Sequence, residues 1–251
     1  MKINRTAKYA VIIVVVIGAI GLGRSIMQPK QQPGGNRIVR EQLIADIRAF
    51  EIKRTDLTQD EQEKKRKEFD DALKAFDEGF LFVKQQGEGG LAAIYWPLVS
   101  LGSIHRDVGD YEKAEETFKY LAEIDPNAFL PYGLLGDLYS QLKQYDKALE
   151  NYGKAVAISD VDEAFLDTYY GNMYGIYISE KKDPAAAEQM LIDGIKLHPA
   201  DTNLVAQLAL HYRMSGDIDK AISRYKELLA KKPDSIVAKQ ALDQLEPDIV
   251  H

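Results

Sequence analysis

Four histidines, 39 acidic side chains and no cysteine bound the chemistry available to this 251-residue chain. Without cysteine there is no disulfide, no thiolate metal site and no cysteine nucleophile. The compartment stays open, because exported proteins need not carry disulfides. His105, His198, His211 and His251 would bind a metal or move protons only beside a second ligand or an orienting partner, and none stands in a His-x-x-x-His or Glu-x-x-His arrangement. Adjacent carboxylates such as Glu115-Glu116 point apart on a helix and make no acid/base pair. No phosphate loop, dinucleotide fingerprint or Gly-x-Ser-x-Gly elbow occurs. No catalytic residue, metal ligand or cofactor is therefore expected. An enzyme or small-molecule sensor is the weakest reading of function.

Charge adds a second exclusion. Residues 1–40 hold seven basic residues and no acid, so the remaining 211 carry 25 basic and 39 acidic residues, a net of −14. An acidic body disfavours sequence-independent binding to a phosphate backbone, and no nucleic-acid partner is expected. In "DEQEKKRKEF" (60–69), Asp60–Lys64, Glu61–Lys65 and Glu63–Lys67 are spaced as i, i+4 pairs on an exposed helix face. Lys64–Lys67 as a lipid-headgroup patch is the minor alternative.

"YAVIIVVVIGAIGLG" (9–23) is uncharged, follows Lys2, Arg5 and Lys8, and contains nine Val, Ile or Leu residues. These contribute roughly −3 to −5 kcal/mol to insertion. Extended to Met27, the stretch is about 28 Å long as a helix, near the ~30 Å hydrocarbon thickness. A retained signal-anchor over 9–27 is the preferred reading. A cleaved signal peptide is the second, since Gly21-Leu22-Gly23 is a passable cleavage site. A buried core helix is third, because residues 11–17 are all Val or Ile and show no amphipathic face. The short basic tail (1–8) should stay cytoplasmic and place the body on the periplasmic or extracytoplasmic side. Arg24, Lys30, Arg37 and Arg40 beyond the segment weaken that orientation, so a cytosolic body is the alternative. Residues 28–36, "QPKQQPGGN", read as a flexible linker.

The body repeats itself. Ala114, Ala148, Ala187 and Ala221 are spaced by 34, 39 and 34 residues. Twelve residues before each stand Gly102, Gly136, Gly175 and Ala209; four after each stand Phe118, Tyr152, Leu191 and Tyr225; twelve after stand Pro126, Asp160, Pro199 and Pro233. The pattern predicts antiparallel helix pairs. The small residue of the first helix faces the Ala of the second, the bulky residue fills the gap to the next unit, and the Pro ends the pair. One pair cannot bury its apolar face alone, so the units must stack.

These residues resemble the tetratricopeptide repeat, with four copies in one register over about 95–236. The resemblance implies an all-α fold, a right-handed α-solenoid of antiparallel helix pairs preceded by the single transmembrane helix. The third copy departs most, with Gly171 at an aromatic position, and "SDVDEAFLD" (159–167) reads as a lengthened connection. His105 sits at an aromatic position of the motif, which implies packing. Tyr170, Tyr174 and Tyr177 read as core. "RIVREQLIADIRAF" (37–50) reads as a helix, and "TQDE" (58–61) as the capping box of a helix reaching about Gln86. The expected organisation is a basic tail (1–8), signal-anchor (9–27), linker (28–36), degenerate first repeat (37–90), four repeats (91–234), and a capping helix and tail (235–251).

By resemblance, the first helices line a concave groove for an extended or helical peptide. The implied groove residues are Trp96, Val99, Ser103, Arg106 and Asp107; Leu130, Gly133, Asp137, Ser140 and Gln141; Tyr169, Asn172, Ile176, Ser179 and Glu180; and Asn203, Ala206, Leu210, Arg213 and Met214. Trp96 and Tyr169 are the implied aromatic anchors. The competing reading is a merely solvated helix face. Family members that serve the heat-shock chaperones clamp a C-terminal carboxylate with Lys and Asn where this chain has Val99 and Ser103, so that duty is not implied. The expectation is a membrane-tethered, non-catalytic scaffold that binds a protein partner, for assembly of an envelope complex such as secretion, pilus or respiratory machinery. A cytosol-facing anchored receptor is the alternative.

Overall fold

The computed structural model describes residues 43–158 and 161–246. The basic tail, the linker and the expected membrane segment lie outside the described residues. Among the described residues no helix is long and apolar enough to cross a membrane.

All regular structure among the described residues is helical. A short helix α1 (43–48) leads through an extended stretch to α2 (Gln59–Gln86) and a 3-10 turn (Gly87–Gly90). Then come α3 (Ala92–Asp107), α4 (Tyr111–Ile124), α5 (Phe129–Gln141), α6 (Tyr145–Val156), α7 (Glu163–Gly175), α8 (Pro184–Leu197), α9 (Thr202–Ser215), α10 (Ile218–Lys231) and α11 (Ile236–Leu245). From α2 onward each helix packs on the next, and the apolar faces join in one continuous core. This is the stacked-hairpin architecture that the repeat spacing predicts.

Local chemistry sets the boundaries. Thr58 and Glu61 form the expected capping box, with Thr58 N donating to Glu61 Oε2 at 2.8 Å. The last turns of α4, α8 and α10 stop two residues short of Pro126, Pro199 and Pro233. The residues just before those prolines, Asp125, His198 and Lys232, have left the helical region, with φ of −135°, −122° and −135°. Where Asp160 replaces the proline, Ala157 still lies in the helical region at φ −77°. Each hairpin turn passes through a left-handed residue: Gly109, Lys143, Lys182 or Gly216. Glycine adopts that conformation freely; lysine does so against Cβ–carbonyl repulsion.

The contact that seats the two helices of a pair differs from the expected one. In the first two units the glycine of the first helix lies under the ring of the second, four residues after the Ala. A Cβ on Gly102 would stand 2.5 Å from the Phe118 ring, and one on Gly136 would stand 2.5 Å from the Tyr152 ring. The bulky residue thus fills its own hairpin, while Ala114 and Ala148 are sealed at 0% exposure. In the third unit the roles reverse. Gly175 has open space around it, and the Tyr170 ring of α7 sits on Gly194 of α8.

The cause lies in α7, which runs into a π turn over Ile176–Glu180, closed by Lys181 N donating to Ile176 O at 2.9 Å. One extra residue in a turn shifts the helix phase and swings Gly175 away from α8. The expected long connection at 159–167 is also shorter than supposed. Helix α7 begins at Glu163, capped by Asp162, so the inserted residues are shared between the loop and the π turn.

Upstream, the expected helix 37–50 is helical only over 43–48 among the described residues, and the chain then runs extended to reach the α3–α4 turn. Lys53 N and Arg54 N both donate to Val108 O, at 2.8 and 2.9 Å. Lys53 Nζ reaches the buried Asp110 at 2.8 Å, and His105 Nε2 lies 2.9 Å from Ile47 O. Burial pulls the His105 imidazole below its ordinary value of 6.5, against the pull of the Ile47 carbonyl. The ring is therefore neutral, and Nε2–H donates. Burial alone would lift the Asp110 carboxyl, but hydrogen bonds from Lys53 and Lys113 outweigh it and hold the group low. The expected i, i+4 pairs of 60–69 are also replaced: Glu61 is spent on the cap, and Lys65 bridges Glu68 at 3.0 Å and Asp107 of α3 at 2.8 Å.

These contacts predict opposite outcomes for two glycine substitutions in urea unfolding. Gly102→Ala overpacks Phe118 and destabilises by about 1–2 kcal/mol even after the helix-propensity gain. Gly153→Ala, in open space on α6, stabilises by about 1 kcal/mol. A third outcome concerns pH. The folded state holds the His105 proton less well than the unfolded chain. Its contribution is therefore complete above about pH 6.5 and is lost as pH falls. The stability difference between wild type and His105→Phe should shrink on going from pH 7 to pH 5.

Candidate functional site

The first helices α3, α5, α7 and α9 carry the implied groove residues, and their surroundings differ. On α3, Trp96 is 46% exposed, with the Tyr95 ring edge-on at 5.6 Å. Val99, Ser103 and Arg106 are half-buried, and Arg106 Nη2 lies 3.5 Å from Asp107 Oδ1. On α7, Tyr169 is only 3% exposed. Its ring takes the space left by Gly133 and lies 5.7 Å from Tyr152, so it forms floor and not a projecting anchor. Arg213 of α9 is exposed and donates to Gln244 of α11 at 3.0 Å. It borders a separate shallow hollow of 300 Å³ with Leu210, Val237 and Ala241.

Asp137, Gln141 and Asn172 come together in an open cleft of 570 Å³ where α5, α6 and α7 meet. Ser140, Ile176, Ser179 and Glu180 complete the wall of first-helix residues, and Tyr145 and Tyr152 enter from α6. A hydrogen-bonded triad stiffens the floor. Tyr152 OH donates to Asp137 Oδ1 at 2.7 Å, and Asn172 Nδ2 lies 3.1 Å from Tyr152 OH and 3.4 Å from Asp137 Oδ1. Burial raises the Asp137 carboxyl above the usual range, partly opposed by the Tyr152 bond and the charge of Arg106. Burial and Asp137 likewise push the Tyr152 phenol up, so it stays protonated and donates. At the rim, Tyr145 OH donates to Glu180 Oε2 at 2.7 Å, and Lys181 pairs with Asp146 at 2.5 Å.

Sequence reasoning missed Tyr145 and Tyr152, because it placed the groove on first helices alone. Tyr152 had been read purely as a filler, yet its hydroxyl reaches Asp137. A signal was present: a Tyr rather than a Phe at that position carries a polar tip that needs a partner. Gly171 and Gly175 also line the cleft. A second polar group was not anticipated: Asn203 of α9 donates to Asp167 Oδ2 at 2.6 Å, and its own backbone N donates to Asp201 Oδ1 at 2.7 Å. The arrangement offers hydrogen bonds and negative charge to a bound chain. Among the described residues no cluster of three or more His, Asp or Glu could hold a metal ion.

Comparison with known proteins agrees with the hairpin geometry. Residues 98–128 and 131–162 match the family model of the tetratricopeptide repeat. The chain contains tetratricopeptide repeats. It is 31% identical over 114 residues to heat shock protein STI1 of Saccharomyces cerevisiae, a match spanning 45% of this chain and 19% of that protein. It is 42% identical over 52 residues to the cell division cycle protein 27 homolog A of Arabidopsis thaliana, spanning 21% of this chain and 7% of that one. The chain thus spans a fifth or less of each relative. Among solved structures it is similar to BtubC from P. vanneervenii, at 16% identity and a TM-score of 0.49, over 73% of this chain and 90% of that one.

The raised Asp137 carboxyl has a measurable sign. A carboxylate whose folded value is raised weakens the fold above that value and ceases to do so once protonated in both states. Asp137→Asn keeps an acceptor for Tyr152 and removes the buried charge. The variant should be more stable than wild type at pH 7 in urea unfolding, with the gap closing toward about pH 4.

Proposed function

We propose that the protein is a non-catalytic adaptor whose tetratricopeptide repeats hold a segment of another polypeptide in the cleft between α5, α6 and α7, with Trp96 as an exposed contact on α3. One observation carries the reading. Side chains from two successive repeats, Asp137 and Gln141 on α5 and Asn172 and Glu180 on α7 and its π turn, converge on one open cleft. A bound chain lying across two repeats meets hydrogen-bonding groups spaced along its length.

The apolar stretch 9–27 supports a tether, with the repeats on the periplasmic side and the bound partner part of an envelope assembly. The excess of basic residues after that stretch favours a second reading, a receptor of the same build facing the cytosol. A reporter fused after His251 separates the two, since a periplasmic reporter is silent in the cytosol.

Site-specific photo-crosslinking from Trp96 and Asn172 in cells, read by mass spectrometry, tests the adaptor function. Both positions should capture the same protein, and an exposed position such as Glu78 on the far helix α2 should not. Capture of nothing above an unrelated acidic control protein overturns the reading.

A further inference from the structure

Two glycines of α7 have no explanation in packing. A Cβ on Gly171 or Gly175 meets nothing within 4 Å, yet each glycine inside a helix costs about 1 kcal/mol against alanine. One turn apart, they share a helix face, and both line the cleft beside Asp137 and Glu180. Bare backbone on a cleft wall lets another chain approach closely. Gly153 of α6 has equally open surroundings but does not line the cleft.

The charge of the cleft is one-sided. Asp137 and Glu180 are its charged lining residues, with no Lys, Arg or His beside them. Both hydrogen bonds to Asp137 end on Oδ1, and the bond to Glu180 ends on Oε2, so each carboxylate keeps one oxygen without a protein donor. The neighbouring cations are engaged elsewhere: Arg106 turns to Asp107, and Lys181 to Asp146. Burial also disfavours the Asp137 charge, so an incoming cation restores what desolvation removed.

Resting on the adaptor reading, we propose that the cleft takes a polypeptide segment bearing a lysine or arginine, its backbone passing over Gly171 and Gly175 and its cation held by Asp137 and Glu180. The π turn is the device that makes room. It turns Gly175 toward the cleft and brings Glu180 to Tyr145, which the regular repeats do not do.

The test is fluorescence anisotropy of the full chain with fluorescein-labelled nonapeptides repeating Lys-Ala-Gly, Gln-Ala-Gly or Glu-Ala-Gly. The lysine peptide should bind at least about tenfold more tightly than the glutamine peptide, and the glutamate peptide most weakly. Asp137→Asn and the double variant Gly171→Ala/Gly175→Ala should each erase that preference, whereas Gly153→Ala should keep it. Thermal melting checks the fold: the double variant should melt no lower than wild type. If it melts lower, Asp137→Asn alone decides.

A lysine preference undiminished in the deciding variants is diffuse attraction to the acidic body and overturns the proposal. Preference for the glutamine or glutamate peptide, or no binding of any peptide, also overturns it. In each of those cases crosslinking from Trp96 still judges the adaptor reading separately.

Discussion

The close approach of paired helices, made possible by a glycine under an aromatic ring, is the contact on which the first two repeats depend. Gly102 under Phe118 and Gly136 under Tyr152 let a full ring occupy the space a methyl group would take. Both rings are thereby removed from water, at 0% and 1% exposure. Burial of a large side chain is worth about 1.5–3 kcal/mol. It also fixes the helix separation, because close-packed interiors leave little slack. The hairpin then presents a defined ridge to the next one, and the core continues from unit to unit.

The N-terminal side of the array follows a different rule, with polar contacts as the fasteners. The extended stretch after α1 gives two backbone amides to Val108 O, one carbonyl to His105 and one ammonium to Asp110. Each of these groups is buried or partly buried, where an unmet hydrogen bond costs about 1–3 kcal/mol. The segment is therefore held in one register along the α3–α4 turn. This explains why α1 stops so early: its continuation as a helix would withdraw the carbonyl and amides that the turn requires.

The least regular repeat builds the cleft. A π turn breaks the helix phase in α7, reverses which helix supplies the glycine, and leaves two glycines facing open space. The same change puts Glu180 beside Tyr145 and Asn172 beside Tyr152. Polar groups thus gather where ring-on-glycine packing lapses. A regular third repeat would instead direct that face to α8, and the cleft would lose one wall.

Spacing alone determined the helical hairpins, their turns near Gly109 and Gly216, their ends before Pro126, Pro199 and Pro233, and the capping box at Thr58. These are consequences of local sterics and of hydrogen bonds a few residues apart, which a linear chain already specifies. The shared face of Asp137, Gln141 and Asn172 was legible for the same reason, through helical periodicity. Which ring covers which glycine was decided only in three dimensions, as were the burial of Tyr169 on Gly133, the reach of Tyr152 to Asp137, the pairing of Lys65 with Asp107 and the π turn at Ile176. Each depends on the distance and phase between helices far apart in sequence. That geometry is set when the whole array packs, and no local rule contains it.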